Sequence, residues 1–203
     1  TWPMHNPMAV RGTLKERSYP YFDQAGQCLD WAGMSATIKS EAKAGDIWLI
    51  HGICHNPTGV DLNLEQWRQA AELANEKGLI IMIDMAYQGF AEGLDEDAAG
   101  PRLVTDMCDE VILAGSTSKN FGVYRDRIGV ALFQCKTPEH VELVRGNFKN
   151  HMRISISMPP AFGAETVHHI LTTPALRADW EAELATMRDQ VNNSRAGFAE
   201  VLK

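Results

Sequence analysis

Four short apolar segments, each the length of one strand, recur along this chain between helical stretches. They are DIWLIH at 46–51, LIIMID at 79–84, EVILAGS at 110–116 and RIGVALFQ at 127–134. Several are apolar at successive positions, which is typical of strands buried on both faces of a sheet. Their alternation with helices predicts an α/β domain with a mainly parallel sheet and helices on both faces.

The segments around these strands carry helix signals. Asp30 is a candidate N-cap for a helix over 30–45, and Gly78 is a stop signal for a strongly periodic helix over 64–78. Further helices are predicted over 101–108, from 137 onward, and finally from about Pro174 to Lys203. The aromatic, alternating stretch LKERSYPYF at 14–22 predicts a strand.

Composition narrows the class of protein. The 203 residues are 45% hydrophobic and 22% charged, which fits one soluble globular domain with a substantial core. A net charge of -7 without a basic tract argues against a nucleic-acid partner, and the apolar runs are too short for a membrane span. The four cysteines show no CxxC spacing, so we predict reduced thiols and a cytoplasmic protein.

Polar groups gather directly after three of the apolar strands. These groups lie at His51–Asn56, Asp84–Tyr87 and Ser116–Lys119. In open α/β sheets, ligands bind beyond the carboxyl ends of the strands. The sequence therefore predicts a ligand site at this edge of the sheet.

Lys119 is the unusual member of this set, because lysine is seldom found at the end of a buried strand. A desolvated lysine amine can form a Schiff base with a carbonyl cofactor such as pyridoxal phosphate. That cofactor also needs an acid for its ring nitrogen, donors for its phenolic oxygen and a phosphate site. The candidates are, in that order, Asp84; Asn56 and Tyr87; and Ser116, Ser118 and Arg127.

At this point the chain resembles a known family. The stretches TWPMHN, HGICHNPTGVD, DMAYQGF, STSKNFGVYRDRIG and RISISMPPAFGA are similar to motifs of the class I aminotransferases of pyridoxal-phosphate fold type I. The branch is the one that holds aspartate and aromatic-amino-acid aminotransferases. Each motif alone is weak, but their combination and order are specific and extend over essentially all 203 residues.

The resemblance implies roles for individual residues. Lys119 is expected to bind the cofactor as a Schiff base and then to shuttle a proton at the amino acid's α-carbon. Asp84 is expected to pair with the ring nitrogen. The phenolic oxygen would be bound by Tyr87 and Asn56, and the phosphate by Ser116, Ser118 and Arg127.

Four further residues acquire roles through the same resemblance. Trp2 is expected to stack on the cofactor ring and, with Asn56, to contact substrate. His5 would support Asp84 from behind, with His51 nearby. Arg153 resembles the arginine that reaches across a homodimer to a substrate's distal carboxylate.

The resemblance also implies a longer parent chain. Residues 1–203 correspond to the cofactor-binding large domain, incomplete because an N-terminal arm and a C-terminal small domain are absent, so we expect the fragment alone to be inactive. The expected reaction moves the amino group of aspartate or an aromatic amino acid to 2-oxoglutarate. Ile156, where aspartate-type relatives often carry tyrosine, favours an aromatic-tolerant pocket.

Other interpretations stay open at the level of sequence. Lys119 could mark a solvated turn, Asp84 could cap a helix, and Ser116 and Ser118 could be turn hydroxyls. Arg125 is interpreted as a surface charge. Two other functions remain: a different fold type I reaction, such as a lyase or decarboxylase, and a non-catalytic regulatory domain related to the aminotransferases.

Overall fold

The computed structural model describes residues 1–202. Helices and strands alternate along most of this length, as the apolar pattern predicts. In chain order they are α1 His5–Arg11, β1 Phe22–Asp23, β2 Cys28–Leu29, α2 Trp31–Glu41, β3 Ile47–His51, α3 Leu64–Lys77, β4 Ile80–Met85, α4 Ala99–Met107, β5 Val111–Ser116, β6 Gly129–Gln134, α5 Pro138–Ile156, α6 Phe162–Thr172 and α7 Pro174–Val201.

The central sheet has four strands in the order β3-β4-β5-β6. The first three run parallel and β6 runs antiparallel to β5, so the prediction of a mainly parallel sheet is confirmed. In the register, His51 lies beside Asp84, and Asp84 lies beside Ala114. The carboxyl ends of the three parallel strands therefore meet in one row. The short strands β1 and β2 form a separate antiparallel pair.

Residues paired across neighbouring strands share a face of the sheet. One face carries Trp48, Ile81 and Val111, which are buried in the core against α2, α3 and α4. The opposite face carries Phe133, which meets Phe148 of α5 with ring centroids 5.5 Å apart. Helices on both faces are thus confirmed.

Helices cover this second face of the sheet unevenly. Next to β3 and β4, the second face borders a groove of about 730 Å³, whose lining includes Tyr19, Leu49 and Met82. Leu49 and Met82 are only half-buried, whereas their sequence neighbours Ile50 and Ile81 are 1% exposed. Among residues 1–202, the helices therefore cover the first face of the sheet more completely than the second.

Helix α3 shows how local sequence sets these elements. The Asn63 side chain accepts from the backbone N–H of Gln66, whose own side chain accepts from the Asn63 backbone N–H. This reciprocal capping satisfies donors that the first turn leaves unpaired. The helix ends at Gly78, which has φ 68° in the left-handed region that favours glycine.

Two boundary predictions need correction. The helix predicted over 30–45 begins as expected, with the Asp30 side chain accepting from Gly33 N, but it ends at Glu41. Most of the strand predicted over 14–22 is also wrong, since only Phe22 lies in a strand. Pro20 has no N–H to donate to a sheet, and Tyr19 instead directs its hydroxyl to the Leu49 carbonyl oxygen.

One further difference lies at the start of the described range. Helix α1 was not predicted; Pro7 lies in its first turn, where no intrahelical N–H donor is needed. The predicted last helix is present to Val201, and Lys203 lies outside the described residues. No helix within residues 1–202 is both long and apolar enough to cross a membrane.

Candidate active site

The carboxyl edge of the sheet carries a chain of hydrogen-bonded groups centred on Asp84. Its Oδ2 lies 2.9 Å from Nε2 of His5, at the start of α1. The Nδ1 of His5 lies 2.7 Å from the Thr1 hydroxyl, which in turn lies 3.2 Å from Nε2 of His51. His5 is therefore held between a carboxylate and a hydroxyl. Sequence reasoning missed Thr1, whose hydroxyl gives no signal of this contact.

Lys119 and Tyr87 lie together beyond the ends of β5 and β4. The Lys119 Nζ is 4.8 Å from the centroid of the Tyr87 ring, within the range of a cation–π contact. Both side chains are half-buried. An amine and a phenol are thus presented side by side at the edge that Asp84 also occupies.

The loop after β3 places Asn56 on the same side. Its backbone N–H donates to Nδ1 of His51 at 3.3 Å. Asp61 holds the loop closed, because its two carboxylate oxygens accept from the backbone N–H groups of Cys54 and His55 at 2.9 and 2.8 Å. Asp61 belongs to the motif HNPTGVD, but sequence reasoning gave it no role.

The predicted phosphate residues are only partly assembled. Ser118 is buried, and its backbone N–H donates to the Ser116 hydroxyl at 3.2 Å. Arg127 is exposed at φ 57°, and its Nη1 donates to the carbonyl of Tyr124 at 2.9 Å. Arg125 is also exposed, which matches its interpretation as a surface charge.

Two predicted residues lie further from this centre. Trp2 is 40% exposed, with its ring centroid 5.5 Å from that of His5 in an edge-to-face arrangement. Arg153 is exposed near the end of α5, where its Nη1 donates to the Ser157 hydroxyl at 3.0 Å. Trp2 therefore borders the Asp84 cluster, whereas Arg153 binds the end of its own helix.

Two buried histidines, His51 of the Asp84 cluster and its neighbour His55, pack together. His51 and His55 are 7% and 5% exposed, and their ring centroids are 4.5 Å apart. His55 also stacks on Tyr21 at 3.8 Å. Burial lowers the pKa of His51 to about 4, although Asp84 acts in the opposite direction. Burial and the neighbouring His51 lower the pKa of His55 to about 3. Both rings are therefore neutral near pH 7.

This pair predicts a loss of stability on acidification. An unfolded histidine takes up a proton near pH 6.5, whereas the folded His51 and His55 resist protonation until about pH 4 and 3. Between these limits the unfolded chain binds more protons, so the free energy of unfolding falls as the pH is lowered. Urea midpoints measured from pH 7 to about pH 5 should fall, and the double variant His51→Gln/His55→Gln should flatten that slope. His168→Gln, at an exposed position, is the control. An unchanged slope in the double variant would contradict this assignment.

The cluster around Asp84 has the spacing of a candidate metal site. Ligand atoms of His5, His51 and Asp84 lie within 4.8 Å of one another. The 2.9 Å contact of His5 with Asp84 is an ordinary hydrogen-bond distance, so hydrogen bonding accounts for the cluster without a cation.

The donor set as a whole fits pyridoxal phosphate. A half-buried amine, a carboxylate, a phenol and a pair of serine hydroxyls occur at one edge of the sheet; the residues are Lys119, Asp84, Tyr87, Ser116 and Ser118. The Asp84 oxygen Oδ2 is engaged by His5, which leaves Oδ1 for a ring nitrogen. Fold and site together define an α/β protein with a lysine–carboxylate site at the carboxyl edge of a mainly parallel sheet.

Comparison with known proteins agrees with this description. The family model for aminotransferase class I and II matches residues 1–203. The chain is 44% identical over 203 residues to the aspartate aminotransferase of Salmonella typhi, and 44% identical to the aromatic-amino-acid aminotransferase of Paracoccus denitrificans. It belongs to the class I and II aminotransferase family.

Solved structures show the same relationship. The fold matches an aromatic amino acid aminotransferase with 3-indolepropionic acid at a TM-score of 0.96 and 44% identity, covering 100% of this chain and 52% of that one. It matches an aromatic-amino-acid aminotransferase from Burkholderia pseudomallei, covalently bound to pyridoxal phosphate, at 0.95 and 34% identity, covering 98% of this chain and 50% of that one. The chain covers 51% of the length of each of the two curated relatives above.

Proposed function

We propose that residues 1–203 form the cofactor-binding large domain of a pyridoxal-phosphate-dependent aminotransferase. The observation that carries the proposal is the placement of Lys119 beside Tyr87, at the same sheet edge as Asp84. Membership of the aminotransferase family supports it. When bound, pyridoxal phosphate supplies an aldehyde that reacts with amines and a ring that accepts electrons.

The proposed roles divide between binding and proton movement. Lys119 Nζ binds the cofactor's aldehyde carbon and later moves a proton at the α-carbon of the substrate. Asp84 holds a proton at the ring nitrogen, and His5 keeps that carboxylate oriented. Tyr87 and Asn56 donate to the phenolic oxygen of the cofactor.

The remaining contacts bind the two ends of the cofactor and substrate. Ser116, Ser118 and Arg127 hold the phosphate; Nη1 of Arg127 donates to the Tyr124 carbonyl, which leaves its other N–H groups for the phosphate oxygens. Trp2 packs against the cofactor ring. Arg153 binds the distal carboxylate of a substrate held by the second subunit of a homodimer.

The proposed substrates are an amino acid and a 2-oxo acid in a cytoplasmic enzyme. Both aspartate and aromatic-amino-acid aminotransferases occur among the relatives at 44% identity. Ile156 offers an apolar side chain, which favours a pocket that also accepts aromatic substrates. Comparing aspartate with phenylalanine as amino donor to 2-oxoglutarate, in the complete protein, tests this preference.

Attachment of the cofactor tests the proposal most directly. The complete protein is mixed with pyridoxal phosphate, its absorbance spectrum is recorded, and the adduct is reduced with borohydride and mapped by mass spectrometry. We expect a new visible band and a reduced adduct on Lys119. An adduct spread over exposed lysines such as Lys39, in a folded sample of the complete protein, would contradict the proposed site.

Transfer of the amino group distinguishes this function from the two alternatives. Formation of the 2-oxo acid from the donor indicates an aminotransferase. Release of carbon dioxide or loss of the donor's side chain would indicate a decarboxylase or lyase. Firm cofactor binding without turnover in the complete protein would indicate a regulatory domain.

A further inference from the structure

A buried carboxylate outside the proposed site organises the loop that follows Tyr87. Asp97 is 3% exposed, and each of its oxygens accepts two backbone N–H groups. Oδ2 accepts from Gly89 and Ala91 at 2.8 and 3.1 Å, and Oδ1 accepts from Glu92 and Gly93 at 2.9 and 3.3 Å. Four donors fill the accepting capacity of a carboxylate. The loop 88–93 is therefore wrapped around one charged side chain.

Packing against α7 fixes the same loop from its other side. Gly89 has φ 95°, and a Cβ at this position would come within 2.5 Å of Leu184, which is 1% exposed. The Arg188 guanidinium donates to the Gly89 carbonyl at 3.4 Å, and Asn192 donates to the carbonyl of Ala91 at 3.2 Å. The conformation of the loop is thus determined by contacts on two sides.

A second set of hydrogen bonds joins this loop to the turn that carries Lys119. The Asn120 side chain is buried, and its Nδ2 donates to the Gln88 carbonyl at 3.2 Å. The Asn120 backbone carbonyl accepts from Nε1 of Trp180 at 2.7 Å, and Trp180 stacks on Phe121 with centroids 4.3 Å apart. The bridge therefore joins the residue after Tyr87 to the residue after Lys119.

We propose that Asp97 is a positioning residue for the candidate active site. By fixing the loop 88–93, Asp97 places the Gln88 carbonyl where Asn120 donates to it. This bridge sets the 4.8 Å separation between the Lys119 Nζ and the Tyr87 ring. That this separation matters for catalysis rests on the proposed function. The separation itself can be tested in the protein without cofactor.

The first test therefore uses the complete protein without cofactor. Asp97→Asn replaces an acceptor oxygen with an NH₂ group that opposes two N–H donors. If the loop shifts, the Lys119 Nζ loses its contact with Tyr87, so acylation of Lys119 should rise about two- to fivefold, the range that a cation–π contact implies. The rate of Lys119 acylation is measured by mass spectrometry and divided by the rate of Lys39 acylation in the same sample. Asp95→Asn, which alters only an exposed pair with Arg102, should leave the ratio unchanged.

The second test uses the loaded protein. Displacing a catalytic group by about 1 Å can cost on the order of 10²-fold in rate. We expect Asp97→Asn to lower kcat about 10- to 100-fold with a smaller change in KM, and to shift the pH midpoint of the bound cofactor's absorbance. If Asp97 contributed only to stability, Asp97→Asn would lower the melting temperature but would leave both that pH midpoint and the Lys119 labelling ratio unchanged.

Asn120→Leu provides an independent check if Asp97→Asn does not fold. Leucine is similar in size to asparagine, adds no charge beside Lys119 and removes the donor to Gln88, so it should change the Lys119 labelling ratio in the same direction. An unchanged ratio in every folded variant would overturn the inference. If wild-type protein binds no cofactor, the proposed function fails, and the apoprotein labelling still decides the positioning role of Asp97.

Discussion

Replacing Lys119 with alanine is expected to abolish amino transfer by the complete protein. Under the proposed function, the substitution removes both the amine that binds the cofactor and the group that moves the proton at the substrate. Lys119 is the amine that lies over the Tyr87 ring. General acid–base catalysis alone contributes up to about 10⁴-fold. The expected loss of kcat is therefore on the order of 10⁴-fold or more. Turnover is measured by formation of the 2-oxo acid from aspartate.

The fold should survive this substitution, because Lys119 is half-buried and lies outside the core cluster. The far-ultraviolet circular dichroism spectrum and the urea midpoint should stay close to those of the wild type. Lys39→Ala, on the exposed side of α2, is the matched control and should retain full activity. Substantial turnover by folded Lys119→Ala would remove the proposed mechanism.

Replacing Asp84 with alanine is expected to have the next largest effect. The change removes the carboxylate that contacts His5 and, under the proposed function, would leave the cofactor's ring nitrogen without its acid partner. Loss of one preorganised electrostatic contact typically costs about 10²- to 10³-fold in rate. We expect kcat/KM to fall by at least this factor, with an altered absorbance spectrum of the bound cofactor.

Asp106→Ala removes an exposed carboxylate from α4 and serves as the control for charge. His5→Gln tests the orientation of Asp84 separately, because glutamine retains a donor but not the ring that lies between Thr1 and Asp84. Its loss of rate should be smaller than that of Asp84→Ala. A near-normal kcat/KM for Asp84→Ala would exclude the assigned role of this carboxylate.

Local sequence determines much of what was predictable here. The apolar segments before Asp84 and Ser116 are strands, because length and apolar period are properties of a few adjacent residues. The caps at Asp30 and Gly78 follow for the same reason. Once parallel strands are assigned, the placement of His51 beside Asp84 at one edge follows from topology.

Contacts between distant segments could not be predicted in this way. The Thr1 hydroxyl contacts His51, which is 50 residues away along the chain, because the fold brings α1 to the end of β3. The segment 14–22 has β-forming residues, yet Tyr19 and Tyr21 direct their hydroxyls to backbone carbonyls of other segments. In each case a tertiary contact outweighed local preference.

Helix α7 contacts both loops that carry the residues following Lys119 and Tyr87. With 28 residues it extends about 42 Å, and its final turns beyond Asn192 are exposed. Trp180 bonds to the lysine turn, whereas Arg188 and Asn192 bond to the loop after Tyr87. One helix therefore anchors both segments that carry Lys119 and Tyr87. A change that loosens α7 would reach both residues together, although neither lies on that helix.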